Sequence, residues 1–213
     1  MTVAELESVL RRALAQPLPG AAAQRDMAPR PRPGWRPAGP SDIRRLAAAL
    51  LLIYPGADGA SIVLTTRSGG LSRHSGQVSL PGGAVSAGES PADAALREAA
   101  EEVGVDPAAI RVLGVLTPLD IPVSGFLLHP VVGVTDHRPD FLAADGEVER
   151  VLEVPVAHLL DPARVGFDQR LRDGVHHDIP FFGVGGEVVW GATAMVLSEF
   201  LWLLGWRPAG RSA

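Results

Sequence analysis

The 213-residue chain has no cysteine, so disulfides, thiolate metal sites and a cysteine nucleophile are all excluded. Lysine is absent as well, and all 19 basic residues are arginine. That removes a phosphate-loop lysine and any Schiff-base chemistry. Aromatics are sparse at 5%, with a single tyrosine. A formal net charge of −5 argues against a non-specific polyanion binder, so no nucleic-acid partner is expected. No apolar run is long enough to span a bilayer; the most apolar late stretch, Ala192–Leu204, is short and carries Glu199. The first fifteen residues place Glu5, Glu7, Arg11 and Arg12 among their apolar positions, unlike the core of a signal peptide. The expectation is a cytoplasmic protein with no membrane partner, monomeric or homodimeric. Carboxylates, histidine, hydroxyls and bound metal remain for chemistry.

What is present reads as one main domain over residues 41–213, preceded by a helix and a proline-rich arm over residues 1–40. Val3, Leu6, Val9, Leu10 and Leu14 recur at helical spacing. Between Pro17 and Pro40, seven prolines and four arginines predict an extended arm without regular elements. Leu46–Tyr54 and Ser61–Thr66 read as a hairpin turning near Gly56–Gly59. Leu71–Gly83 reads as a loop and Ser90–Val103 as a helix. Strands follow at Arg111–Thr117, Phe126–Val134 and Val151–Val156, the first two separated by a loop holding Pro118, Pro122 and Gly125. Pro162–Gly174 reads as a charged surface excursion, Glu187–Trp190 as a last strand and Ala192–Leu204 as a closing helix. Strands and helices intermingle without βαβ alternation, which predicts an α/β fold with a mixed sheet covered by helices.

The helix carries the most information. Ser90 suits the N-cap, Pro91 the first helical position, and Gly104 a left-handed stop. Ala92, Leu96, Ala99 and Val103 share one face, while Glu98, Glu101 and Glu102 gather opposite it. Like charges at that spacing destabilise a helix by roughly 0.2–0.5 kcal/mol per pair, and more near its negative end. Arg97 offsets part of this. A divalent cation, which favours hard oxygen ligands, would offset far more. A plain solvated acidic face is the alternative.

From Gly83 to Val105 the chain reads G-x5-E-x7-R-E-A-x-E-E-x-G-V. This resembles the Nudix box, a loop-helix-loop metal-binding element, with every defined position filled. The resemblance implies an α/β/α sandwich and hydrolysis of a diphosphate linked to another moiety, with Mg²⁺ or Mn²⁺ as cofactor. It assigns Glu98, Glu101 and Glu102 as catalytic metal ligands, and Glu89 with Arg97 as the pair joining loop to helix. Gly82 and Gly83 fall where backbone must approach metal or phosphate closely. The base lies on the helix in some members and on a distant loop in others. Glu147, with Glu149 behind it, is the loop candidate beside the alternative of plain surface charge.

Leu64–Gly83 is similar to the additional motif of coenzyme A pyrophosphatases, with Arg67, Ser68, Leu71, His74, Gly76, Gln77 and Val78 on pattern positions. Two positions depart: Ser72 and Arg73 shift an arginine by one place, and Leu80 replaces a phenylalanine. The implied substrate is coenzyme A or a derivative, split into 3′,5′-ADP and 4′-phosphopantetheine or its acyl form. Arg67, Arg73, His74 and Gln77, with Gly82 and Gly83, are the candidate substrate-binding residues; guanidinium forks suit phosphate. Segments Pro122–Pro130, Glu147–Pro155 and Trp190–Ala194 resemble the same subfamily. Trp190 is either a core residue or a stacking platform. His176 and His177 are adjacent on an extended segment and face opposite ways, so they are not taken as a metal pair. The alternatives are hydrolysis of ADP-ribose or a dinucleotide, and a non-catalytic nucleotide-sensing module.

Overall fold

Strand β1 (Arg45–Gly56) runs through the middle of the protein, and its residues Ala47–Tyr54 are all buried. Its continuous apolar text has a simple cause: both faces of the strand are covered. Ala49, Leu51 and Ile53 enter one core, while Ala48, Leu50, Leu52 and Tyr54 enter another on the opposite side. The computed structural model describes residues 1–32, 44–67, 77–172 and 174–208.

Around β1 a mixed eight-stranded sheet is built. β2 (Gly59–Arg67) returns antiparallel through the expected hairpin, with Gly56 opposite Gly59. β3 (Val78–Ser79) pairs with β2, and β4 (Gly82–Ala84) pairs with β1. The helix α1 (Val3–Leu14) and the short α2 (Ala21–Gln24) precede the sheet, and α3 (Pro91–Val103) follows β4. β5 (Arg111–Val115), β6 (Leu119–Ile121) and β7 (Phe126–Val134) complete one side, β7 lying parallel to β1. β8 (Val148–Pro155) pairs with β2 and leads into α4 (Val156–Leu160). A separate antiparallel sheet follows: β9 (Val165–Arg172), β10 (Val175–Val184) and β11 (Glu187–Trp190). Helix α5 (Gly191–Leu203) closes the described fold.

Helix α3 covers one face of the large sheet, while α1, α4 and α5 cover the other. The result is an α/β/α sandwich, as the sequence resemblance implies. Among the described residues, no helix is long and apolar enough to cross a membrane.

Four expectations need correction. The arm from Pro17 is not featureless: α2 (Ala21–Gln24) and a 3₁₀ turn at Arg25–Met27 bury Ala23 and Met27. Burial of Ala23 and Met27 against α5 outweighs the flanking prolines; the rest of the arm, from Pro33 onward, lies outside the described residues. The loop before Gly83 contains β3 and β4, while 68–76 are not described. The Pro118–Gly125 connection contains β6. The supposed excursion at Pro162–Gly174 holds a 3₁₀ turn and β9, a strand made by pairing with β10 although residues 167–171 are exposed on both faces.

Glu199, the charge inside the apolar closing helix, is completely buried. Its carboxylate accepts from Gly20 N (3.2 Å), Gln24 Nε2 (2.9 Å), Thr117 N (3.3 Å) and Thr117 Oγ1 (2.6 Å). Those donors replace water and fasten the arm to the sheet. Further along, Arg30 N donates to the Asp178 carbonyl (2.9 Å) and Asp178 N to the Arg30 carbonyl (2.8 Å). His177 Nδ1 donates to the Pro31 carbonyl at 2.6 Å, so this buried histidine serves the arm.

Candidate active site

Local chemistry sets the ends of α3 as expected. Ser90 Oγ accepts from Asp93 N at 3.2 Å, Pro91 occupies the first turn, and Gly104 ends the helix at φ 72°. Arg97 binds Glu89 with both arms of its guanidinium, Nε to Oε1 at 2.9 Å and Nη2 to Oε2 at 3.0 Å. It also donates to the Ala84 carbonyl (3.2 Å), to Glu98 (2.8 Å) and to Glu101 (3.2 Å). One side chain therefore joins β4, the loop after it and the helix. Glu89 is held down at a pKa of about 2, first by Arg97 and then by the Ser86 amide.

The three glutamates do not share one environment. The buried residues of α3 are Ala94, Ala95, Ala99 and Val103, so the apolar arc is wider than the stripe from Ala92 to Val103 and turned toward the glutamates. Small alanines carry little directional hydrophobicity, which is why periodicity misplaced the arc. Glu98 and Glu102 both fall inside it, Glu98 with 18% of its side chain exposed, and Glu101 lies outside with 59% exposed. Glu102 has its pKa pushed up to about 7, chiefly by burial. The Gly82 amide, 3.2 Å from Glu102 Oε2, works the other way. The charges of Glu98 and Glu147 add to the rise, and that of Arg67 opposes it.

Two glycines let β4 lie between β1 and this helix. A Cβ on Gly82 would stand 2.6 Å from Ala49 Cα, inside the backbone of β1. A Cβ on Gly83 would stand 2.6 Å from Glu98 Oε1. Glu147 sits on the exposed turn before β8. That segment is tied to the end of α3, with Leu142 N donating to the Val103 carbonyl (3.1 Å) and Ala144 N to the Glu102 carbonyl (3.0 Å). Glu149 is exposed nearby.

On the other side of the glycines lies a cavity of about 430 Å³. Arg67, Gln77, Gly82 and Gly83 all line it, so four of the six candidate substrate residues meet in one place. Arg67 N also donates to the Gln77 carbonyl at 3.2 Å. The other two, Arg73 and His74, lie outside the described residues. Sequence reading missed the apolar wall: Ala47 and Ala49 of β1 with Phe126 and Leu128 of β7. Their two-residue spacing was the available signal. Thr193 was missed too; its hydroxyl donates to the Val78 carbonyl (3.1 Å) and holds β3 against α5.

Among the described residues, no three carboxylate or histidine side chains are gathered into a ready cation cage. Carboxylates repel at short range, and here the counter-charge on Glu98 and Glu101 is Arg97. The donor set still suits a hard divalent ion: two half-buried carboxylates within the arc, a third on the rim, and a glycine that leaves Glu98 its room.

The NUDIX domain family model matches residues 43–173. Uncharacterized Nudix hydrolase NudL of Citrobacter koseri is 39% identical over 166 residues, 78% of this chain and 85% of that protein. The NudL protein of Cronobacter sakazakii is 37% identical over 169 residues, 79% and 88% of the two chains. Among solved structures, the M. smegmatis Nudix hydrolase RenU aligns at TM-score 0.47 and 25% identity, over 55% of this chain and 73% of its own. The chain belongs to the Nudix family, whose hydrolases act on nucleoside diphosphate derivatives.

Proposed function

We propose that this chain hydrolyses the diphosphate bond of coenzyme A or a coenzyme A derivative, giving 3′,5′-ADP and 4′-phosphopantetheine or its acyl form. The observation that carries the reading is the shared cavity of Arg67, Gln77, Gly82 and Gly83 beside the glutamate helix. Arg67, exposed at the end of β2, presents a guanidinium to phosphate, and two donors in a fixed fork suit either the diphosphate or a 3′-phosphate. Gly82 and Gly83 let that anion approach the backbone next to Glu98 and Glu102.

Glu98 and Glu102, with Glu101 at the rim, would hold Mg²⁺ or Mn²⁺. When bound, the ion supplies charge neutralisation and Lewis acidity to the diphosphate. The chain's own groups do the rest. Arg97 keeps Glu98 and Glu101 on the loop side of the helix. Glu147, charge-coupled to Glu102, accepts the proton of the attacking water. Water oxygen bonds to one phosphorus, the bridging P–O bond breaks, and two phosphomonoesters leave.

A turnover screen tests the reading, with coenzyme A, dephospho-coenzyme A, ADP-ribose and a dinucleoside polyphosphate, products identified by mass. Coenzyme A should give 3′,5′-ADP in a metal-dependent reaction and outpace the dephospho form. Equal turnover of both, or a preference for ADP-ribose, would move the chain to another nucleoside diphosphate substrate.

A further inference from the structure

Next to the cavity of Arg67 and the two glycines lies a second chamber of about 300 Å³. Gln77, Ile121 and Ala192 belong to the walls of both, so the two adjoin across these residues. Its remaining wall is mainly hydrocarbon: Pro29, Pro122, Val123, Trp190 and Met195, with Arg32 at the arm side. The arm supplies Pro29 and Arg32, and it is held there by the Arg30–Asp178 backbone pair and the His177 bond to Pro31. The Arg32 guanidinium donates to the Asp120 carbonyl. One face of Trp190 is covered by Arg170, whose guanidinium carbon lies 4.7 Å from the ring centre.

A nucleobase needs several polar partners at its edge, and this wall offers few. A phosphate would want cations, and among the described residues the one guanidinium in the wall already donates to Asp120. Apolar walls opening from a polar anion site fit a hydrocarbon instead.

We propose that the second chamber seats an aliphatic chain carried on the substrate's far, non-nucleotide phosphate, making the protein selective for diphosphates whose second half ends in a hydrocarbon. This rests on the reading that the Arg67 cavity takes the diphosphate. The arm thereby becomes part of the binding site.

The test is calorimetric binding of adenosine 5′-diphosphate esterified on its second phosphate with alkyl chains of increasing length, from ethyl to decyl, on the full chain. Affinity should rise roughly threefold to fourfold per added methylene and level off once the chamber is full. Ala192→Leu, which fills the junction, should flatten that slope, and Met195→Ala should move the plateau to longer chains. Should either variant fail to fold, the wild-type series decides alone. Affinity that changes less than about twofold across the series, or no binding of any ester, overturns the proposal. A clear slope in a protein that leaves coenzyme A intact would keep the chamber and remove the coenzyme A reading. Coenzyme A turnover with a flat series would do the reverse.

Discussion

The backbone amide of Gly82 donates to Glu102 Oε2 across 3.2 Å, linking the glycine strand to the buried end of the glutamate helix. The same strand residue lines the cavity that holds Arg67, so one peptide unit touches both halves of the candidate site. Changes that leave this link and the β1 backbone undisturbed should therefore be felt in turnover before they are felt in stability.

Glu102→Gln keeps the size and the acceptor for Gly82 N but removes the charge. Divalent-ion electrostatics contribute several kcal/mol to such reactions, and about 1.36 kcal/mol is tenfold in rate. kcat should fall by at least about a hundredfold while the melting temperature stays within a few degrees. Glu101→Gln, at the exposed rim, should lose less. Steady-state kinetics at saturating metal, with a thermal melt of each variant, decides; an undiminished Glu102→Gln would remove that residue from the site.

Gly82→Ala and Gly83→Ala should part company. The first forces a methyl against the backbone of β1, which cannot yield, so destabilisation of about 1–3 kcal/mol is expected. The second meets only the end of the Glu98 side chain, which can swing away. Its fold should survive, while displacement of Glu98 costs on the order of a hundredfold in turnover. Denaturant titration and kinetics on the pair separate the two outcomes.

Arg67→Ala removes a charged donor, a loss of about 1.5–3 kcal/mol, or roughly tenfold to a hundredfold in kcat/KM. If the guanidinium serves the 3′-phosphate, coenzyme A suffers more than dephospho-coenzyme A. Equal losses would place it on the diphosphate alone.

The Glu89–Arg97 clamp has a defined pH signature. Folding lowers the Glu89 pKa from its ordinary 4.5 to about 2, first through Arg97. A depressed carboxylate stabilises the fold above its unfolded pKa and loses that contribution as pH falls through the folded one. Wild type should thus out-melt Glu89→Gln at neutral pH, with the gap closing between pH 4.5 and about 2. A gap that does not change over this range would mean that the clamp acts by shape alone.

Much of this was legible in advance because it is local. Ser90, Pro91 and Gly104 bound α3 through interactions within a few residues, and Gly56–Gly59 turns the first hairpin the same way. The α2 turn was not legible, since its stability comes from Ala23 and Met27 packing against a helix at the far end of the chain. β9 was hidden for a related reason: residues 167–171 are exposed on both faces, so no apolar alternation marks the strand, and only pairing with β10 makes it one.

By itself the sequence determined the glutamate helix with its caps and the motif that marks the Nudix family, because each depends on short spacings that a chain carries wherever it folds; the Arg97–Glu89 pairing followed only from the resemblance. Tertiary structure alone decided that Glu102 lies inside the apolar arc while Glu101 faces water, that Arg67 and Gln77 share a wall with Gly82 and Gly83, and that the proline arm lines a second chamber. Those outcomes come from packing between elements distant in the chain, where burial and backbone contact, rather than residue type, assign each side chain its surroundings.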